Sequence, residues 1–98
     1  MPWKNGGGST SQIQIFPQDA DPAGESFLWR LSSAAVTGPG PFSLFKGYDR
    51  WLVILRGDGL VLNGTNLQSE KPFKFSGDVP IHCQILGDEV IDLGLIYR

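Results

Sequence analysis

The sequence predicts an all-β fold, a sandwich or barrel built from short strands. Its 98 residues include 13 glycines and seven prolines, well above average usage, which indicates many turns and few helices. Apolar or alternating runs of strand length recur along the chain, and turn residues separate them. No long amphipathic helix is visible. We therefore expect residues 1–98 to form one domain with a modest core.

The first predicted strands occupy residues 12–16 and 27–36. Residues 12–16 (QIQIF) alternate polar and apolar side chains and end at Pro17. Asp, Pro and Gly cluster in residues 18–25, which indicates a turn. Residues 27–36 (FLWRLSSAAV) also alternate and favour a strand, with a helix as the alternative because the stretch contains alanines. The sequence TGPGP at residues 37–41 ends either element.

Five further strands are predicted in the second half of the chain. They are residues 51–56, 60–62, 72–75, 81–86 and 90–97. The apolar run WLVILR is too short for a helix, and the following Gly57-Asp58-Gly59 predicts a tight turn that returns residues 60–62 as its partner strand. The other turn signals are Asn63-Gly64, Ser76-Gly77-Asp78 and Gly87-Asp88-Glu89.

Composition argues against several classes of function. The net charge is -2, which gives no electrostatic support to nucleic-acid binding. No apolar run approaches a membrane span and the N terminus lacks signal-peptide features, so we expect a soluble, cytoplasmic protein without a membrane partner. Cys83 and His82 are the only residues of their types, so we expect no internal disulfide, no metal site and no cofactor.

The N-terminal stretch MPWKNGGGST raises the question of a phosphate site. A P-loop carries its lysine after the glycines and leads into a helix, whereas here Lys4 precedes the glycines and a strand follows. We therefore reject a triphosphate loop. The residues leave two interpretations: a backbone nest that faces an anion with Lys4 and Thr10, or a glycine bend leading into the first strand.

Arg30 and Arg50 are candidate anion-binding residues, because a guanidinium is the natural bidentate partner of a carboxylate. Arg30 shares a predicted strand face with Ser32, which is unusual for a plain core, and Arg50 begins a buried strand. The alternative for each is a surface position or an ion pair with Asp49 or Asp92. No nucleophile with an activating base is visible, which disfavours an enzyme.

Five segments together resemble the HutD/Ves family, a bacterial group with a cupin-like (RmlC-like jelly-roll) β-barrel. They are PWKNGGGST, FLWRLSSAAV, GPFSLFKGYDRWLVILRGDGLVL, PFKFSGDVP and DLGLIYR. The resemblance implies a metal-free cupin-like protein that binds a small carboxylate and regulates histidine utilisation. The alternatives are an enzyme acting on a small carboxylic acid, and a structural or protein-interaction half domain with a vestigial pocket.

The resemblance carries eight ligand-binding residues over to this sequence. They are Trp3, Asn5, Thr10, Arg30, Ser43, Phe45, Asp49 and Arg50. In this assignment the two arginines pair with a carboxylate, while Asn5, Thr10 and Ser43 donate or accept hydrogen bonds. Trp3 and Phe45 supply apolar wall, as in most small-molecule sites. The glycines between Asn5 and Thr10 form a loop that lines the pocket. No residue is assigned a catalytic role.

The sequence departs from the family pattern in three places and in length. The closing block usually reads Asp-Phe-Asn but here is Asp92-Leu93-Gly94, which removes an amide; Lys46 replaces a usual proline, and Arg56 a common acid. Family members usually carry a second cupin-like half, so we expect residues 1–98 to be the N-terminal portion, truncated at both ends or standing alone. A homodimer, in which a second copy covers exposed sheet surface, is a hypothesis that follows.

Overall fold

The computed structural model describes residues 2–3, 6–21, 26–68 and 71–98, and these fold into two antiparallel β-sheets. The strands of this part of the chain are β1 (Gly8–Phe16), β2 (Trp29–Val36), β3 (Gly40–Pro41), β4 (Asp49–Arg56), β5 (Leu60–Leu62), β6 (Thr65–Leu67), β7 (Phe73–Ser76), β8 (His82–Ile85) and β9 (Val90–Tyr97). The all-β prediction is confirmed. In the described ranges, no helix is long and apolar enough to cross a membrane.

Most connections between the described strands cross from one sheet to the other, and only β1–β2 and β5–β6 are consecutive strands that pair directly. One sheet has the order β1-β2-β9-β4-β7 and the other β3-β8-β5-β6. The predicted hairpin between residues 51–56 and 60–62 is therefore wrong, because β5 pairs with β6 and β8 in the opposite sheet. The turn itself is present, with φ of 105° at Gly57 and 122° at Gly59. It carries the chain across the barrel, which buries both Leu60 and Leu62 between the sheets.

Most predicted strands are confirmed, and residues 27–36 contain a strand, β2, rather than the alternative helix. The sequence interpretation missed β3 and β6, which have two and three residues. Strand β6 follows the turn signal Asn63-Gly64, whose φ values of 49° and 85° fit a two-residue type I′ hairpin between Leu62 and Thr65. Strand β1 starts at Gly8 rather than at residue 12, since pairing with β2 extends to Val36.

Two apolar clusters hold the sheets together. The larger one lies between the two sheets and contains Val36, Leu52, Ile54, Leu60, Leu62, Leu67, Ile81, Cys83 and Val90. The smaller one contains Ile15, Phe27, Tyr48 and Ile96. Tyr48 stacks on Phe27 with ring centres 4.6 Å apart, and its hydroxyl donates a hydrogen bond to the Phe27 carbonyl oxygen. The two clusters are joined by the interior face of the five-stranded sheet.

Candidate functional site

One row of side chains on the five-stranded sheet brings Arg30 and Arg50 together. Residues paired across the strands form this row: Ile15, Arg30, Ile96, Arg50 and Phe75. Ile15 and Ile96 are buried, so the row faces the interior of the barrel. The two arginines lie two strands apart, which separates their Cα atoms by about 10 Å. Both therefore direct positive charge towards the same interior end.

The Arg50 guanidinium lies among three phenyl rings. Its carbon is 5.0 Å from the ring centre of Phe75, 5.3 Å from Phe45 and 5.5 Å from Phe42. Cation–π attraction at these distances stabilises the charge by about 0.5–2 kcal/mol per favourable contact. One hydrogen bond completes the environment, from Arg50 Nη1 to the carbonyl oxygen of Ser43 at 3.3 Å. The described residues give this guanidinium no carboxylate partner.

Arg50 has more hydrogen-bond donors than the described residues use. A guanidinium has five N–H donors, and the described residues accept one hydrogen bond from it. Among the described residues, no fully buried side-chain nitrogen or oxygen lacks a hydrogen-bond partner. The unused nitrogens of Arg50 are therefore not completely enclosed, although the side chain as a whole is half-buried.

Burial and neighbouring charges shape the electrostatics of the two arginines. Burial lowers the pKa of Arg50 to about 10; the Asp92 charge acts to raise it, and the Arg30 charge lowers it further. Burial also lowers the pKa of Arg30, whose Nε donates to Gln12 Oε1 at 3.1 Å. Both guanidinium groups are cations at neutral pH. Their mutual repulsion favours an anion between them.

Asp92 is the buried carboxyl group of this interior, with 4% of its surface exposed. It lies on β9 in a row with Thr10, Ala34 and Ile54. Burial raises its pKa to about 7, while the Ala34 N–H and the Arg50 charge oppose that rise. Sequence reasoning treated Asp92 only as an ion-pair alternative and as part of the closing block. The alternation pattern of the sequence did indicate that Asp92 is buried, because it lies on the same face of β9 as Val90 and Ile96, which are both buried.

Gly94 lies between the arginine row and the Asp92 row. Its row also contains Gln12, Ser32, Leu52 and Phe73, and Leu52 is buried. A Cβ at Gly94 would meet its nearest heavy atom, Leu52 Cδ1, at 3.6 Å, which is ordinary van der Waals contact. The position therefore faces the interior and has room for the first atom of a side chain.

The N-terminal segment packs against the start of β1, which places Trp3 against the barrel. Gly6 has φ of 75°, and the Trp3 N–H donates to the Gly8 carbonyl oxygen at 2.8 Å, so the segment doubles back on itself. The Trp3 indole donates from Nε1 to Thr10 Oγ1 at 2.6 Å and meets the Phe42 ring edge-on at 6.1 Å. The structure thus brings Trp3 and Thr10 together, and the glycines make the turn that allows it.

The other predicted site residues fall in different places. Phe45 packs against Phe27 and the Arg50 guanidinium. Ser43 contributes its carbonyl oxygen to Arg50, and its side chain is exposed. Asp49 precedes Arg50 on the strand and so faces the opposite side of the sheet, exposed to solvent. Asn5 lies outside the described residues.

Two surface hollows lie away from these residues. One of about 410 Å³ is lined by residues 66–68 and 71–73. The other, of about 340 Å³, lies against the outer side of the five-stranded sheet. None of the eight predicted ligand-binding residues lines either hollow. The candidate site is therefore defined by the interior side chains that meet around Arg50.

The described residues offer little for metal or nucleophilic chemistry. Those residues contain no group of three or more His, Cys, Asp and Glu side chains that could hold a metal ion. Cys83 is buried, and burial together with the Asp92 charge raises the pKa of its thiol to about 11. It is therefore a protonated core residue at neutral pH. His82 is exposed, and its backbone N–H donates to Asn63 Oδ1.

Comparison with known proteins places this arrangement in a family. The family model described as HutD matches residues 1–98. The chain belongs to the HutD family. It is 41% identical to an uncharacterized 21.2 kDa protein in the hutC 3′ region of Pseudomonas putida, over 99% of this chain and 52% of the relative. It is 37% identical to protein Ves of Citrobacter koseri, over 98% of this chain and 51% of the relative.

Solved structures agree with this membership and with the fold. The solved HutD of Pseudomonas fluorescens superposes with a TM-score of 0.85 at 41% identity, covering 100% of this chain and 54% of that one. A Cupin_2 domain of an XRE-family transcriptional regulator from Enterobacter cloacae superposes with a TM-score of 0.70 at 15% identity, covering 94% and 97% respectively. The cupin-like fold is thus confirmed. The chain spans about half the length of the curated relatives it matches.

Proposed function

We propose that this HutD-family chain binds a small carboxylate metabolite inside the barrel, with the carboxylate on Arg50. The observation that carries the proposal is the environment of that guanidinium: three phenyl rings surround it, and the described residues accept one hydrogen bond from it, at 3.3 Å. A partly desolvated cation that no described carboxylate contacts directly favours an anion, and a guanidinium favours a planar carboxylate. The phenyl rings suit the apolar remainder of an organic acid.

Arg30 and Trp3 extend this site in the proposal. Arg30 lies in the same interior row and supplies a second cation on the far side of Ile96. Trp3 and Phe42 close the apolar wall beside the rings around Arg50. A regulatory role in histidine utilisation is supported by the name of the solved HutD and by the hutC neighbourhood named for the P. putida relative.

The binding proposal is tested by thermal unfolding in the presence of small carboxylates. The probes are urocanate, N-formylglutamate and formate, the last named for the solved P. fluorescens HutD. Each is compared with its uncharged amide or ester at constant ionic strength. A saturating rise in melting temperature with the acid but not with the neutral counterpart is expected, because a ligand that binds the folded state stabilises it.

Substitution of Arg50 then locates the site. Arg50→Ala should cost on the order of 2–5 kcal/mol of binding free energy, because a desolvated charge pair is lost. Arg56→Ala is the matched control, since Arg56 is an exposed arginine on the same strand. A folded Arg50→Ala protein that keeps full affinity would exclude the assigned role of Arg50. Arg50→Lys, which keeps the charge without the planar fork, should retain only part of the affinity.

One observation favours an enzyme as the second candidate. The Asp92 carboxyl has its pKa raised to about 7 by burial, which suits a general acid or base acting on a bound organic acid. The test is deuterium exchange into each probe acid, followed by NMR across neutral pH. Exchange that follows ionisation of Asp92 and disappears in Asp92→Asn would support catalysis. Exchange at the solvent rate in both proteins would favour the binding function alone.

A further inference from the structure

Asp92 adds a buried acidic group to the interior that contains Arg50. Among the described residues it is the only charged one that is buried, with 4% of its surface exposed. Its carboxyl group accepts a hydrogen bond from the Ala34 N–H, and no described lysine or arginine forms a direct ion pair with it. A buried carboxyl group without a contacting cation holds its charge weakly, so its protonation responds to the charges around it.

Arg50 is a cation that acts on Asp92 from within the same interior. Arg50 pairs with Ile96, and Asp92 lies four residues before Ile96 on β9, which separates the Cα atoms of Arg50 and Asp92 by about 14 Å. Leu52 and Gly94, which lie between them on β4 and β9, have no polar side-chain atom to screen the interaction. The Arg50 charge lowers the pKa of Asp92, and the Asp92 charge raises the pKa of Arg50. The two groups therefore interact through the barrel interior without touching.

The other ionisable groups that face this interior keep a constant charge around neutral pH. Arg30, on β2, remains a cation. Cys83, on β8 of the opposite sheet, has its pKa raised to about 11 by burial and by the Asp92 charge, so its thiol remains neutral. Strands β1 and β5 contain no ionisable residue. Among the described residues, Asp92 is therefore the interior group whose charge changes near pH 7.

A carboxylate bound at Arg50 competes with ionised Asp92 for one positive charge. When Asp92 is protonated, the Arg50 charge is available to the ligand alone. When Asp92 is ionised, the ligand enters a site that already contains an anion, and the repulsion between the two anions weakens binding. Linked equilibria are reciprocal, so the bound ligand makes Asp92 harder to ionise by the same factor.

We propose that carboxylate binding at Arg50 is coupled to proton uptake by Asp92, so that the barrel takes up an anion and a proton together. This inference rests on the proposed carboxylate site and adds the regulation of that site by pH. Affinity is high below about pH 7, where Asp92 is protonated, and falls as the pH rises. Two unit charges about 10 Å apart, at an effective dielectric constant near 20, change an equilibrium roughly tenfold. The dissociation constant should therefore rise by up to roughly tenfold between about pH 6 and pH 8.5.

Titration calorimetry with formate and with N-formylglutamate tests the coupling, because carboxyl groups of this kind stay ionised above about pH 6. Bis-Tris, imidazole and Tris differ in ionisation enthalpy, and these cationic buffers do not compete for a guanidinium. The dependence of the binding enthalpy on the buffer, at constant ionic strength, gives the number of protons taken up. At about pH 7.4 we expect roughly half a proton for each acid bound.

The Asp92→Asn variant should bind the acids without proton uptake and with the same affinity at every pH, close to that of the wild type at low pH. Asp49→Asn is the matched control, since Asp49 is an exposed carboxylate on β4. His82→Gln is the second control, because an exposed histidine ionises in the same pH range. Both controls should retain the proton uptake of the wild type.

Carbon NMR of the wild-type protein gives a measurement that does not depend on the folding of a variant. The Asp92 carboxyl carbon is titrated with pH in the absence and in the presence of saturating acid. Its midpoint should move up by about one pH unit when the acid is bound, which corresponds to the tenfold coupling. The Asp49 carboxyl carbon is the internal control and should not move.

The outcomes separate this inference from the proposed function. Binding that requires Arg50 but shows a constant dissociation constant and no proton uptake overturns the coupling and leaves the carboxylate site standing. Proton uptake that persists in a folded Asp92→Asn protein belongs to another group and also overturns the coupling. If neither acid binds, or if Arg50→Ala binds both equally well, the carboxylate site fails and the coupling fails with it. Uptake that is present in the wild type and absent from Asp92→Asn supports the coupling.

Discussion

The two sheets of the barrel distribute polarity in opposite ways. In β8 of the four-stranded sheet, exposed His82 and Gln84 alternate with Cys83, which is 1% exposed. In β9 of the five-stranded sheet, the buried face carries Asp92 and the other face carries Leu93 and Leu95. The first pattern is the usual one for a sheet with a core side and a water side. The second pattern is the reverse, with a carboxyl group on the inner face and apolar side chains on the outer face.

The largest expected effect comes from comparing Leu52, on the inner face of the five-stranded sheet, with Leu93, on its outer face. Leu52→Ala removes a side chain that is 4% exposed and packed in the larger cluster, and should destabilise the fold by about 2–5 kcal/mol. Leu93→Ala removes a side chain from the outer face and should cost less in the monomer. Urea unfolding at low micromolar concentration measures both. Equal losses would show that the outer face is already covered within one copy.

The second effect concerns the buried charge of Asp92. An unfolded aspartate ionises near pH 4, whereas burial raises the pKa of Asp92 to about 7 in the fold. Between these values the folded chain holds a proton that the unfolded chain has lost, so stability falls as pH rises from about 4 to 7 and is constant above. Asp92→Asn removes this fall and should stabilise the protein at pH 8 by on the order of 2–4 kcal/mol.

Urea unfolding at a series of pH values measures that difference. The groups that interact with Asp92 are Arg50, the Ala34 N–H and the Cys83 thiol, and the difference between variant and wild type isolates the carboxyl among them. Asp49→Asn is the matched control, because Asp49 is an exposed carboxylate on the neighbouring strand. Parallel pH profiles for Asp92→Asn and wild type would mean that folding leaves the pKa of Asp92 unchanged, and would contradict the raised value.

Most of the fold could be predicted from the sequence, because alternation and turn residues are local signals. Asn63-Gly64 predicted its turn, and the positive φ of both residues confirms it. Strand pairing was less predictable. Residues 60–62 were expected to pair with the preceding strand, residues 51–56, but they pair within the other sheet. A tight turn specifies a change of direction, while the choice of sheet depends on burying Leu60 and Leu62 against distant strands.

The candidate site was predictable in part. Arg30 and Arg50 were found from residue type and resemblance, and the register places them in one interior row. Asp49 was carried over with Arg50, but adjacent residues on a strand face opposite sides, so the two cannot both reach the interior. The cage of Phe42 and Phe75 around Arg50 was missed, since it is assembled from strands and loops distant in sequence.

A smaller effect is expected at Gly94, which lies on the interior face between the arginine and aspartate rows. Gly94→Asn should be tolerated, since a Cβ there has 3.6 Å to Leu52, and loss of a strand glycine adds up to about 1 kcal/mol of stability. The new amide should also raise carboxylate affinity by adding a donor. Gly94→Ala is the control, because it also replaces the strand glycine, with the same expected gain in stability, but adds no amide. Titration of each variant with the same acid compares them, and equal affinities would place the ligand away from this row.

The smallest effect is expected at His82, on the water side of the four-stranded sheet. His82→Gln keeps an exposed polar side chain and leaves the backbone hydrogen bond to Asn63 in place. Its stability should stay within about 0.5 kcal/mol of wild type, and carboxylate affinity should not change. Thermal unfolding with and without the acid checks both. A loss of affinity would mean that the ligand reaches the outside of the four-stranded sheet, and the contrast between the two sheets would then no longer locate the site.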